Sequence, residues 1–258
     1  MTAKLYALNC GALEFDRRSF FPDSAKGVAM RVPVPAFLIV HAKGKVLFDT
    51  GIHADAFRDP AAHLGKDLAA YFKFFCGAGE GIVAQLLLLG LEPGDITHVV
   101  NSHFHFDHCG CNGLFSKAVF FVQGEEMRAT RAARAADGRQ DRDWDQPLNY
   151  RLLDGEHDLF GDAELVILPT PGHTAGHQSL RVNAGSGMRI CLTGDACYTQ
   201  AHMERDLLPA TAAVWNEAEM RHSLGTLRRM REREAIELIY GHDGEQLQGL
   251  RRCPEPFA

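Results

Sequence analysis

Hydrophobic positions in this chain fall into short runs separated by turn residues, the spacing of strands that feed loops. Lys4 to Asn9, Val34 to Val40 and Lys45 to Asp49 read as strands, and the Ala42-Lys43-Gly44 turn makes a hairpin of the last two. Asp49-Thr50-Gly51 closes that segment. Between residues 53 and 95 the period changes: Leu68 to Phe75 and Gly81 to Leu89 have helical spacing, and Leu91-Glu92-Pro93-Gly94-Asp95 stops the second helix. Ile96 to Val100 is then a buried strand, Val119 to Val122 another, and Gly124 to Ala135 a helix. The strongly polar stretch Ala136 to Gln146 reads as a surface excursion. A second half has a comparable rhythm, with strands at Glu164 to Leu168, Gln178 to Val182 and Arg189 to Thr193. Glu217 to Arg233 is the longest predicted helix and Ile236 to Tyr240 the last strand. No short repeat or linker divides the chain, so residues 1–258 read as one domain with two loosely similar halves, about 1–135 and 150–250. That rhythm fits two sheets stacked face to face with helices outside.

The stretch richest in chemistry follows the strand Ile96 to Val100. His103-Phe104-His105-Phe106-Asp107-His108 packs three imidazoles and a carboxylate into six residues, a density that points to a metal. In extended backbone His103, His105 and Asp107 share a face and His108 points away. A turn after Phe106, with Asp107 as helix N-cap and Gly110, Asn112 and Gly113 as flexible backbone beyond, brings His108 round. Two ligand groups result, His103 with His105 and Asp107 with His108. This differs from the helical zinc pattern, in which two His four residues apart share a face.

Three further places have one form, a strand followed by Gly and a potential ligand: Leu168-Pro169-Thr170-Pro171-Gly172-His173, Leu192-Thr193-Gly194-Asp195 and Ile239-Tyr240-Gly241-His242. Each Gly lets backbone pass close to a crowded site. With the cluster they supply five His and two Asp, a set suited to two cations that share a carboxylate. His103, His105 and His173 are assigned to the first cation, Asp107, His108 and His242 to the second, and Asp195 to the bridge.

Composition limits what such a site serves. The 258 residues, 46% of them hydrophobic, suit a globular fold with a large core. A net charge of −6 with interspersed signs argues against a nucleic-acid partner held through its phosphates. The basic run Arg228-Arg229-Met230-Arg231-Glu232-Arg233 reads as a solvated helix face. The chain does not open with a basic region and a sustained apolar segment, and Ile82 to Leu89 is too short to span a bilayer, so a cytoplasmic location without a membrane partner is expected. Cys10, Cys76, Cys109, Cys111, Cys191, Cys197 and Cys253 are odd in number and scattered, as reduced thiols are. Cys109 and Cys111 read as small packing residues behind the ligand cluster.

The HxHxDH word at 103–108, with the later stations in the same order, resembles the metallo-β-lactamase superfamily over essentially the whole chain. The resemblance implies an α+β fold, a four-layer αββα sandwich with a dinuclear site at one edge of its two sheets. Within the superfamily the chain is most similar to the N-acyl homoserine lactonase group, through the 103–108 word, Thr170-Pro171-Gly172-His173-Thr174-Ala175-Gly176-His177-Gln178-Ser179-Leu180, Asp195-Ala196-Cys197-Tyr198-Thr199 and Gly241-His242-Asp243. In that group a Tyr three residues after the bridging Asp contacts the lactone carbonyl, which gives that role to Tyr198. Other branches match less well. A secreted β-lactamase would carry a signal segment, and its commonest class has Cys where Asp195 stands. The tail after His242 is too short for the glutathione-gripping helices of glyoxalase II. RNA-processing members would carry an added RNA-binding segment, and diiron flavoproteins have Glu at the position of His105.

The resemblance implies a lactonase with two divalent cations, zinc first and iron, manganese or cobalt as alternatives. A hydroxide shared by the cations would attack the lactone carbonyl, with Tyr198 stabilising the oxyanion and Asp107 passing a proton to the leaving oxygen. His177 is not expected to be a ligand; it supports one or lies at the surface. Phe20, Phe21, Phe72, Phe74, Phe75 and Phe106 are the aromatic candidates for an apolar substrate pocket, with core packing as the alternative. Residues 12–31 and 53–80 depart most from these lactonases, so acyl-chain preference is not carried over. The 101–110 wording and Val32-Pro33-Val34 also resemble 4-pyridoxolactonase, the runner-up among lactonases. A member of the fold that uses one iron for redox chemistry, or binds metal without hydrolysis, is the reading of a different class. Relatives are often dimeric, which makes a homodimer the candidate assembly.

Overall fold

The computed structural model describes residues 3–133, 140–184 and 187–258. Its strands are β1 (Lys4–Asp16), β2 (Ala29–His41), β3 (Gly44–Phe48), β4 (Lys73–Phe75), β5 (His98–Val100), β6 (Val119–Gln123), β7 (Asn149–Leu153), β8 (His157–Asp158), β9 (Leu165–Pro169), β10 (Gln178–Asn183), β11 (Arg189–Leu192) and β12 (Glu237–Ile239). The first seven form one sheet in the order β4-β1-β2-β3-β5-β6-β7, and the last five a second in the order β12-β11-β10-β9-β8.

Central strands are continuous apolar runs because both faces of each sheet are covered. In β2, Phe37 and Ile39 point between the sheets with Val46, Phe48, Val100 and Phe121, against Leu180, Val182, Ile190 and Leu192. Their neighbours Ala36 and Leu38 face the other way, with Leu47, Val99 and Phe120, onto Ile82 and Leu86 of the helix Ile82–Leu88. Beyond the second sheet, Leu224, Leu227 and Met230 of the helix Glu217–Glu234 cover Cys191 and Leu238. The layers run helix, sheet, sheet, helix, as the αββα expectation has it. Truncating any of these fully buried Leu or Ile side chains to Ala would cost roughly 2–5 kcal/mol.

Several boundaries differ from the pattern-based expectation, each for a local reason. β1 continues past Asn9 to Asp16 because a bulge between Asn9 and Ala12, with Gly11 at φ +101°, lets pairing resume. The predicted helix Leu68 to Phe75 stops early, at Lys66–Tyr71, and Lys73–Phe75 becomes edge strand β4 against Ala12 to Glu14 of β1. There Phe72 and Phe74 reach Phe106 with ring centres 5.4 and 6.0 Å away, contacts that a continued helix would not make together. Of the helix expected over Gly124 to Ala135, Gly124–Ala133 is described, and Arg134 and Ala135 lie outside the described residues. Residues 136–139 of the expected surface excursion also lie outside them. Its remainder holds the helix Asp141–Trp144, with Asp141, Arg142 and Asp145 exposed as expected but Asp143 and Trp144 buried, so the excursion is anchored to the core by those two side chains. Among the described residues no helix is long and apolar enough to cross a membrane.

The fold brings its loops to one edge. β3, β5 and β6 are parallel, β11 and β12 are parallel, and β9 and β11 both run antiparallel to β10. Within the first sheet the segments after β3 and β5, and within the second those after β9, β11 and β12, therefore leave strand ends of one sense. Gln178 stitches the sheets there: its backbone N–H donates to Ser102 O (2.9 Å), and its Nε2 to Asn101 O (2.8 Å) and Phe121 O (2.9 Å).

Candidate metal centre

After β5 the chain stays extended through His105 (φ −72°, ψ 152°) and then makes one helical turn, Phe106–Cys109. The cap falls on His105, not on Asp107 as expected. Asp107 sits in the first turn because its carboxylate turns instead toward His108 and His242, with Oδ2 3.7 and 3.9 Å from their Nε2 atoms.

His173 Nε2 lies 3.1 Å from His103 Nε2 and 2.9 Å from His105 Nδ1, and those two are 2.9 Å apart. Asp195 stands between this trio and the second group. Its Oδ2 is 3.2 Å from His173 Nε2 and 4.0 Å from His103 Nε2; its Oδ1 is 3.4 Å from His108 Nε2 and 3.1 Å from His242 Nε2. Potential ligand atoms of His103, His105, His173 and Asp195 fall within 4.8 Å of one another, and so do those of Asp107, His108 and His242. Two glycines permit this crowding. A Cβ on Gly194 would stand 2.8 Å from His177 Nε2, and one on Gly241 2.6 Å from Gly194 O.

The donors fit cations. His103 Nδ1 has Ser102 Oγ at 3.0 Å, His108 Nδ1 has Asp49 Oδ2 at 2.8 Å, and His173 and His242 Nδ1 donate to the carbonyls of Ala213 and Pro33, each at 2.8 Å. With the Nδ1 protons so committed, the Nε2 lone pairs of these four rings face inward. Nitrogens that face one another without protons repel unless something positive lies between them. Ligands of a tetrahedral cation with metal–nitrogen bonds of about 2.0–2.1 Å stand roughly 3.3 Å apart, close to the separations in the first trio. In the second group His108 Nε2 and Asp195 Oδ1 are buried with no hydrogen-bond partner. Buried polar atoms seldom go unpaired, and a cation would satisfy both.

The two groups differ electrostatically. Burial, reinforced by His108, His105 and His173, pushes His103 well below the usual imidazole range. Burial also disfavours charge on His108 and His242, but Asp195 and Asp107 outweigh it, with Asp49 helping at His108, and both rings titrate higher than usual. At Asp195 burial favours the neutral acid, yet His108, His242 and His173 hold the carboxyl well below its ordinary range.

Three supporting residues escaped the sequence reading or were read incompletely. Asp49, at φ +62° just after β3, accepts from Ser102 N–H and Oγ at 2.7 Å each and from His108, so one carboxylate orients the backbone and two ligands. Its signal was its place at a strand end, where the other stations also lie, although here the Gly follows the acidic residue instead of preceding it. Glu126 is buried and accepts from Phe104 N–H (3.2 Å) and Gly176 N–H (3.0 Å), joining two ligand loops. In sequence it stands as an ordinary acidic residue in the first turn of the helix Gly124–Ala133. His177 is fully buried, which rules out surface exposure: Asp195 N–H donates to its Nε2 at 3.0 Å, and burial pushes its pKa down to about 3. Cys109 and Cys111 are buried, burial raising both thiols, Cys111 to about 12, and Cys109 packs with Phe104, Met127 and Trp144.

A cavity of about 550 Å³ opens onto the ligands, bounded by His105, Asp107, His173, Asp195, Tyr198 and His242 on one side. Its other walls are mainly apolar, among them Leu13, Phe15, Phe20, Val32, Leu64, Leu68, Phe72 and Phe106. Phe21, Phe74 and Phe75 do not line it. Phe21 packs on His202, Phe74 lies against Phe72 and Phe106, and Phe75 lies under the Arg31 guanidinium. Tyr198 is buried, its ring stacked on Phe20 at 4.2 Å and its hydroxyl 3.1 Å from His173 Nδ1.

Sheet order, a ligand set at one sheet edge and the match of a family model to residues 29–242 define the class: the chain belongs to the metallo-β-lactamase superfamily. Within it, the chain is 33% identical to N-acyl homoserine lactonase AttM of Azorhizobium caulinodans over 97% of both chains. It is 30% identical to an N-acyl homoserine lactonase of Bacillus cereus over 98% of both. A crystal structure of an N-acyl homoserine lactone hydrolase, with the product N-hexanoyl-L-homoserine at its catalytic metal centre, superposes with a TM-score of 0.89 at 28% identity, over 99% of this chain and 100% of that one.

Proposed function

We infer that the protein is a metal-dependent lactonase that opens N-acyl homoserine lactones, the reaction of quorum quenching. The observation that carries this is one cavity with five of the seven candidate ligand side chains at its floor, His103 and His108 lying behind them, and apolar walls of a size to take an acyl chain. His103, His105 and His173 would hold one cation, Asp107, His108 and His242 a second, and Asp195 would join both. Imidazoles and carboxylates suit zinc, with iron, manganese and cobalt as alternatives. When bound, the cations supply a water with a pKa of about 7 and a Lewis acid for the ester carbonyl.

The chain's own groups do the rest. The His173 Nδ1 proton goes to Ala213 O, so the Tyr198 hydroxyl keeps its own proton to donate to a lactone carbonyl oxygen. Burial, with Asp195 and Asp107 adding, raises the phenol well above its ordinary range and keeps that proton on at neutral pH. Asp107 faces the cavity and can carry a proton from the attacking water to the ring oxygen. Water oxygen bonds to the carbonyl carbon, the ring carbon–oxygen bond breaks, and the product is an N-acyl homoserine. Phe106 and its aromatic neighbours bound the space beside the reacting carbonyl. These walls suit an acyl chain better than the small polar ring of pyridoxolactone. Seven free thiols, five of them buried, suit a reducing compartment and support a cytoplasmic location.

The test is a panel of acyl homoserine lactones, simple lactones and pyridoxolactone, scored by proton release from the metal-loaded protein. Acylated homoserine lactones should turn over fastest. A pyridoxolactone rate above theirs, or no acid release from any lactone, would overturn the reading.

A further inference from the structure

We propose a third cation site, separate from the catalytic pair, formed by His53, Asp55 and His63 for one divalent transition metal. Potential ligand atoms of these three lie within 4.8 Å of one another, beside a cavity of about 330 Å³ that Gly110, Arg142 and Asp143 help to line. His53 and His63 are stacked in parallel, ring centres 4.7 Å apart and planes 4° apart, so the two imidazoles lie side by side and the partly exposed His53 ring turns about its side chain for both to address one ion. His63 is buried.

Asp143 supplies the second, independent observation. It is 1% exposed, its Oδ1 lies 3.2 Å from His63 Nε2, and its Oδ2 has no partner. The carboxylate takes the Nε2 proton of His63 and leaves Nδ1 to bind, as Asp49 takes the Nδ1 proton of His108 and leaves Nε2. Asp55 is exposed and pairs with Arg58 Nη1 at 2.7 Å, a surface ion pair worth roughly 0–1 kcal/mol that a cation can displace. Imidazole with carboxylate selects zinc, nickel, cobalt or copper over magnesium and calcium.

The site lies where it can brace the substrate cavity. His63 belongs to the helix Pro60–Leu64, whose last residue Leu64 lines that cavity with the following Gly65, while Asp143 belongs to the helix Asp141–Trp144 packed behind the catalytic turn. A cation held by His53, Asp55 and His63 ties the cavity wall to the segment after β3.

The test counts zinc per chain after equilibrium dialysis of the holoenzyme against rising Zn²⁺, for the wild type, His63→Gln and Asp55→Asn, and records the melting temperature with and without added Zn²⁺. Both variants should saturate one Zn²⁺ below the wild type and lose the last Zn²⁺-dependent rise in melting temperature, with Asp55→Asn retaining wild-type turnover. Asp55→Asn alters only an exposed side chain, so the test survives a misfolded His63→Gln. Equal zinc counts in the folded proteins would overturn the site. The readout is a difference between chains that share every catalytic ligand, so failure of the catalytic pair to load would lower all counts alike and leave that difference legible.

Discussion

The ligand edge and the cavity wall opposite it are made in different ways. Every candidate ligand sits in a loop or short helical turn that follows a strand end, and four of the imidazoles have their outward nitrogen fixed by a named partner. The wall comes from β1, β2 and the helices between residues 54 and 71, and its contacts are mostly rings and aliphatic groups brought together by burial. Polar networks at the edge tolerate no missing member, because each one leaves another buried group unpaired. Apolar walls yield gradually. Chemistry is therefore expected to be brittle in this protein and specificity adjustable.

The sharpest break of that contrast is Asp195→Asn, which removes the one carboxylate facing both ligand groups. It should lower metal content and abolish turnover together, measured by metal analysis and proton release on the same sample. Tyr198→Phe should leave metal content unchanged and lower kcat about 10²- to 10³-fold, the usual loss for one oxyanion donor. A full retained rate would remove the donor role. Asp49→Asn tests whether the edge depends on its outer partners: metal affinity should weaken about 10- to 100-fold, read by competition with a chromophoric chelator.

The smallest effect is expected on the wall side. Lys73, and then Arg31, hold the Glu14 carboxyl below its ordinary range, Lys73 tying β4 and Arg31 tying β2 to β1. A carboxylate with a lowered folded pKa stabilises above its unfolded value, and that stabilisation is lost as pH falls through the folded one. Glu14→Gln should therefore melt slightly lower than the wild type at neutral pH, and the two should converge in acid, with turnover per bound metal unchanged. A large loss of turnover would show the wall to be as exacting as the edge.

Much of the edge was legible because its parts are short words. HxHxDH and the three Gly-ligand stations are local patterns at strand ends, and parallel strands deliver such ends to one place. The wall was less legible for the opposite reason. Phe15 was missed as a cavity residue, and Phe21, Phe74 and Phe75 turned out to pack elsewhere, because which aromatic faces a void depends on neighbours distant in the chain. Asp143 fell in a stretch read as surface and is buried against His63.

The sequence by itself determined the stacked-sheet rhythm, the ligand candidates and the split of the 103–108 word into His103 with His105 and Asp107 with His108, since hydrophobic period and ligand spacing are properties of adjacent residues. Only the tertiary structure decided that Asp49, Glu126 and His177 hold those ligands, that Asp107 faces a cation group instead of capping its helix, and that a stacked pair of imidazoles lies on Asp143. Those are matters of which buried polar group finds which partner, and burial is settled by the whole chain at once.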